Sequence, residues 1–181
     1  RQRQMCIRDS YINSIDYIDL SWLIWQFEDE AKQLGFINPK FQYSLGNCQG
    51  DGLCFSFSDF DSEKLRELIK GITNKKSNWF LDIIQNSIFS ISGKGNTGHY
   101  CYAKENQVEL EENYNSFNYP NIMEVHEKIL EEIQNLYMDI CSQFEQRGYE
   151  QIDHELSEEN AEFWLSENDF TFLENGQQFY I

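Results

Sequence analysis

The chain lacks several features that would have assigned it quickly. None of its five cysteines stands in C-x-x-C spacing, which removes the zinc ribbon and the thioredoxin-type dithiol. No apolar run approaches the ~18 residues of a membrane-spanning helix, so no membrane partner is expected. Basic charge is scarce: 14 Lys and Arg stand against 31 Asp and Glu, a formal net charge of −17 at pH 7. A chain this acidic repels a phosphate backbone, so no nucleic-acid partner is expected either. Internal repeats, flexible linkers and heptads are missing too, and nothing in the sequence calls for a cofactor or a resident metal.

What is present is the composition of a folded domain. Of 181 residues, 40% are hydrophobic and 15% aromatic, with 14 Phe, 10 Tyr and 4 Trp. That is enough to build one sizeable core and too apolar for disorder. Residues 1–10, RQRQMCIRDS, are set apart, because their second half reads like the translated mosaic end of a transposase-type sequencing adapter. Arg1, Arg3 and Arg8 against Asp9 give that segment +2, so −17 becomes −19 over residues 11–181, which are read as a single α+β domain. Setting Cys6 aside leaves Cys48, Cys54, Cys101 and Cys141, expected as free cytosolic thiols.

Periodicity supplies the elements. Leu20, Leu23, Phe27, Ala31 and Leu34 recur at helical spacing up to Gly35, a helix stop. Trp22 and Trp25 either widen this stripe into the core, the preferred reading, or mark a contact surface. From Phe41 the period is two: Phe41, Tyr43 and Leu45, then Leu53, Phe55 and Phe57, predict an antiparallel pair. Asp61 or Ser62 caps a helix running to Gly71, a further turn or two of helix follows over 74–85, and NSIFSISG returns to strand. With a strand or hairpin in 97–112, these make a core sheet of about four strands. Ile122, Val125, Ile129, Ile133, Leu136, Ile140 and Phe144 predict a long helix across that sheet, with Pro120 near its start and Gly148 at its end. Ser157 caps a short helix through Phe163, Trp164 and Leu165, and Asn175-Gly176 predicts a terminal hairpin.

Two glycine-rich segments are the candidate chemistry. In LGNCQGDGLCFSF, Gly50 and Gly52 let the chain turn sharply around Asp51, so that successive backbone N–H groups can face one concavity beside the Gln49 amide. A plain turn, in which Asp51 bonds its own backbone, remains the other reading. In GKGNTGHYCYAK, His99 and Tyr100 offer a polar and aromatic wall, but the order of glycines and lysine is not that of a phosphate loop. His99, Cys101, Cys48 and Cys54 match no standard zinc spacing, and two residues along a strand do not align His99 with Cys101 for proton transfer. His126 and His154 are expected to be solvated, as are the acidic runs around Glu109 and Glu158.

Three segments together resemble a family encoded in bacteriophage genomes and commonly labelled "antitoxin of toxin-antitoxin stability system". SLGNCQGDGLCFSF is similar to its S-Q-G-D-G-aromatic hairpin, TGHYCYA to its G-H-Y-x-H strand, and the closing ENAEFWLSENDFTFLENGQQF to its ANEYEFTEDG tail. Tyr102 stands where a second histidine is usual, which weakens a metal or two-histidine reading. The resemblance implies a viral accessory protein in the cytoplasm of an infected bacterium, aimed at the host. The first expectation is a non-enzymatic protein that sequesters a small nucleotide-type immune signal, with Gln49, Gly50, Asp51, Gly52, His99 and Tyr100 lining the pocket, and a homo-oligomer is compatible with that class. The second is an acidic antagonist that imitates the charge of DNA and binds a basic host protein. The third is an enzyme that cleaves such a signal, with Asp51 and His99 as base and acid.

Overall fold

The computed structural model describes residues 7, 9, 11–12, 18–46, 51–73, 78–94, 101, 103, 106–112, 122–167, 171–172 and 178–179. It is a mixed α+β chain of helices and small antiparallel strand pairs. Among the described residues, no helix is long and apolar enough to cross a membrane. The chain divides into two compact units, one of Trp22–Glu145 and one of Arg1–Ser21 with Gln146–Ile181.

Helix α1 (Ser21–Gln33) starts where the Ser21 N–H donates to Asp19 Oδ1 at 2.9 Å, and it stops at Gly35, held at φ 111°. Leu23, Phe27 and Ala31 are buried as the spacing predicts. Trp22 and Trp25 do not widen that stripe: they are 48% and 68% exposed. At 3.6 residues per turn each lies roughly 140–160° from the centre of the stripe, on the opposite face of the helix.

The strands are β1 (Phe36–Ile37), β2 (Lys40–Ser44), β3 (Gly52–Ser56), β4 (Asp59–Phe60), β5 (Ile88–Gly93) and β6 (Val108–Glu112). The expected pairing of the 41–45 and 53–57 segments forms, with Phe41 opposite Phe55 and Ser44 opposite Gly52. Among the described residues it is not continued into a four-stranded sheet. The strands associate as the antiparallel pairs β1–β4, β2–β3 and β5–β6, and β3 reaches β5 through one bridge between Phe57 and Gly93. Where β4 passes β5, Asp59 Oδ1 receives the Phe60 N–H at 2.8 Å and the Ile91 N–H at 3.3 Å, so a carboxylate stands where a ladder would need a carbonyl. Only glycine fits at position 93, since a Cβ there would run into the Phe57 ring.

Helix α2 (Ser62–Thr73) is capped by Asp61, whose Oδ1 receives the Glu63 and Lys64 N–H groups at 3.0 Å each. It passes Gly71, the expected end, which is exposed. Helix α3 (Asn78–Ser87) leads directly into β5 and is tied to α2 by Arg66, which donates to Asp82 at 2.6 Å and to Gln85 at 3.1 Å.

Helix α4 (Ile122–Glu155) is 34 residues long and continues beyond Gly148, the expected C-terminus. That glycine is buried inside the helix and costs ~1 kcal/mol of propensity relative to alanine, which two further turns of helix outweigh. Ile122, Ile129, Ile133, Ile140 and Phe144 are buried as predicted, while Val125 and Leu136 are half-exposed. His126, Tyr137 and Cys141 take the remaining inward positions. The core is aromatic: Phe36 meets Phe55, Phe57 and Phe60 edge-on, with ring centroids at 5.1, 4.8 and 5.3 Å, and Phe27 stacks on Phe144 at 4.2 Å.

In the other unit, Ser157 caps helix α5 (Glu158–Glu167) as predicted, its hydroxyl receiving the Asn160 N–H at 3.1 Å. Strands β7 (Thr171–Phe172) and β8 (Gln178–Phe179) pair antiparallel. Asn175 and Gly176 lie outside the described residues.

Candidate functional site

Along β3 the backbone groups of successive residues point to alternate sides. Those of Leu53 and Phe55 face away from β2, toward α4. Three residues of α4, each one turn from the next, lie along this edge: Tyr137, Cys141 and Glu145. The Tyr137 hydroxyl donates to the Phe55 carbonyl at 3.0 Å and accepts the Phe55 N–H at 3.1 Å and an Asn106 Nδ2–H at 2.8 Å. One donor and two lone pairs are thereby all used. Burial pushes the phenol well above its usual range, and it pushes the Cys141 thiol up to about 12. Both stay protonated at neutral pH.

At the far end of the edge, the Leu53 N–H donates to the Glu145 carboxylate. Burial raises that carboxyl above its ordinary value, and the charge of Asp51 adds to the effect. Asp51 is half-buried and receives the Ser44 hydroxyl at 2.7 Å across the β2–β3 pair. Next to it, a Cβ built on buried Gly52 would stand 2.7 Å from the Cys101 carbonyl oxygen and 3.6 Å from Glu145 Oε2. Glycine is required here because another backbone passes within reach. The thiol of Cys101 is itself raised, first by burial and then by Cys54 and Asp51.

Of the residues singled out in the sequence, Asp51 and Gly52 are therefore at this site, against Cys101 of the second motif. Gln49, Gly50, His99 and Tyr100 lie outside the described residues. Cys54, Cys101 and Cys141 are free thiols. Among the described residues, no group of three or more His, Cys, Asp and Glu is arranged to hold a metal ion.

The sequence reading missed Glu145, Tyr137 and a second cluster. His126, expected in solvent, is only 4% exposed. Its Nε2 lies 2.6 Å from Ser87 Oγ, and its Nδ1 lies 2.9 Å from Glu112 Oε1. These three side chains have the order of a nucleophile, a base and a carboxylate. Ser87, however, is 2% exposed, and its hydroxyl also donates to the Ile84 carbonyl at 2.6 Å. The cluster is an internal tie between α3, β6 and α4. The signal was available: Ile122, His126, Ile129, Ile133, Tyr137, Ile140 and Phe144 also recur at steps of three and four.

Comparison with protein-family models, with curated proteins and with solved structures finds no match to this chain.

Proposed function

We propose that this protein is a bacteriophage accessory protein that counters host immunity in the infected cell by binding and sequestering a small nucleotide-like signal. The observation that carries the reading is the contact between Gly52 and the Cys101 carbonyl. It supports a site shared by the two glycine-rich segments, since Gly52 of one lies against Cys101 of the other. In this reading backbone N–H groups of Gln49 and Gly50 receive phosphate, while His99 and Tyr100 stack on the base. Asp51 and Glu145, two carboxylates at the same place, accept hydrogen bonds from ribose hydroxyls or an amino edge.

A thermal-shift screen against cyclic nucleotides and ADP-ribose derivatives tests the proposal. The expected result is stabilisation by one of them, lost in Asp51→Ala, with intact ligand recovered after heat denaturation. No shift with any compound overturns it, and recovery of a cleaved ligand makes the protein an enzyme instead.

A further inference from the structure

Strand pair β5–β6 carries an irregularity far more specific than its length suggests. Ile88 stands opposite Glu112 and Ser90 opposite Glu111, so Phe89 is one residue too many for the ladder. Such a bulge gives up a pairing position and re-aims the inserted side chain. Here the ring is 74% exposed, more than any other large apolar side chain among the described residues. Ile91 is buried, which places Ser90 and Ser92 on the solvent side of the pair together with their partners Glu111 and Glu109. Ser90 donates to Glu111 at 3.3 Å, and Lys94, just beyond β5, pairs with Glu109 at 2.6 Å. Glu112 turns instead toward buried His126.

We propose that this face docks a basic polypeptide, with Phe89 entering an apolar hollow of the partner while lysines or arginines around that hollow meet Glu109 and Glu111. An exposed aromatic anchor beside polar and acidic strand positions is the kind of residue on which interface centres are built. Charge selects the occupant. The chain carries −17, and three of the five residues of β6 are glutamate. That field repels nucleic acid and anionic lipid, and it sets a second copy of the same face against its own sign. A cationic protein surface is both steered in and neutralised. The surface uses none of the residues of the Gly52–Cys101 site, so each proposal stands or falls alone.

The test is an NMR titration of the ¹⁵N-labelled full chain with a strand-forming peptide that alternates arginine and leucine, and with its glutamate-for-arginine counterpart. The arginine peptide is expected to shift amides of residues 88–93 and 108–112 and to bind more weakly as salt rises. Phe89→Ala should weaken it roughly tenfold, the effect of about 1.4 kcal/mol, and Glu109→Gln with Glu111→Gln should flatten the salt dependence. Thermal unfolding of Phe89→Ala should match the parent, because the ring packs against solvent. Equal binding of the glutamate peptide, shifts mapped elsewhere, undiminished binding by Phe89→Ala, or a Phe89-dependent dimer in sedimentation overturns the proposal.

Discussion

Replacing Tyr137 by phenylalanine removes one oxygen and keeps the ring, so it isolates what the hydroxyl does. The aromatic contacts of Tyr137 with Phe55 and Phe36, at 4.7 and 6.5 Å between centroids, are retained. Three hydrogen bonds go, leaving the Phe55 N–H, the Phe55 carbonyl and one Asn106 amide proton inside the core without that partner. A buried polar group stripped of its partner costs about 1–3 kcal/mol. With some relaxation of Asn106, which is 4% exposed, we expect a total loss of about 3 kcal/mol, a large part of a typical domain's stability. Urea unfolding followed by tryptophan fluorescence measures it, as a lower midpoint at an unchanged slope. A loss below ~0.5 kcal/mol, the range of an ordinary surface substitution, would refute the claim that this hydroxyl completes the edge of β3.

Gly52→Ala drives a methyl group into the Cys101 carbonyl, 2.7 Å away; the backbone must shift, and we expect a loss of about 1–3 kcal/mol by urea unfolding together with loss of any ligand-induced thermal shift. Cys141 has its thiol raised from 9.0 to about 12, so between those pH values the unfolded chain gives up a proton that the folded one keeps. Its contribution is complete below pH 9 and is lost as pH rises toward 12, at about 1.4 kcal/mol per pH unit; Cys141→Ala should flatten that limb of a stability-versus-pH curve, and an unchanged limb would refute the assignment. Ser87→Ala leaves His126 Nε2 without its partner and should cost about 1–3 kcal/mol in thermal or urea unfolding, while a fluorophosphonate probe should fail to label Ser87 in the intact protein. Labelling at Ser87 would turn the internal tie into a nucleophile.

Several outcomes decided by a single residue were legible in the sequence. Gly35 ends α1, Asp61 and Ser157 cap their helices, and the β2–β3 pair forms at the alternation of Phe41 with Leu53 and Phe55. Failures came where a decision involves distant residues. Among the described residues the expected sheet is met only as strand pairs, and where β4 passes β5 the Asp59 carboxylate receives the Ile91 N–H, 32 residues away. Gly148 does not end α4, since propensity at one residue is a small term beside the burial of a long helical face. At the site, the glycines and Asp51 drew attention as a turn, but Glu145 looked like any other glutamate in an acidic helix. Its meaning comes from the Leu53 N–H it receives, a partner 92 residues earlier in the chain. His126 was misplaced for a related reason: one polar letter in an apolar stripe reads as solvent-facing until Ser87 and Glu112 are seen to use both of its ring nitrogens.

The segment Gly52–Phe57, GLCFSF, has no charge, no proline and three large apolar side chains, the composition of a sequence that stacks on copies of itself. In the folded protein α4 occupies its free edge with a phenol and a carboxylate. Helix α4 is thus also a guard against self-assembly: any condition that lifts it from β3 before the rest of the molecule unfolds would expose a ready template for fibrils.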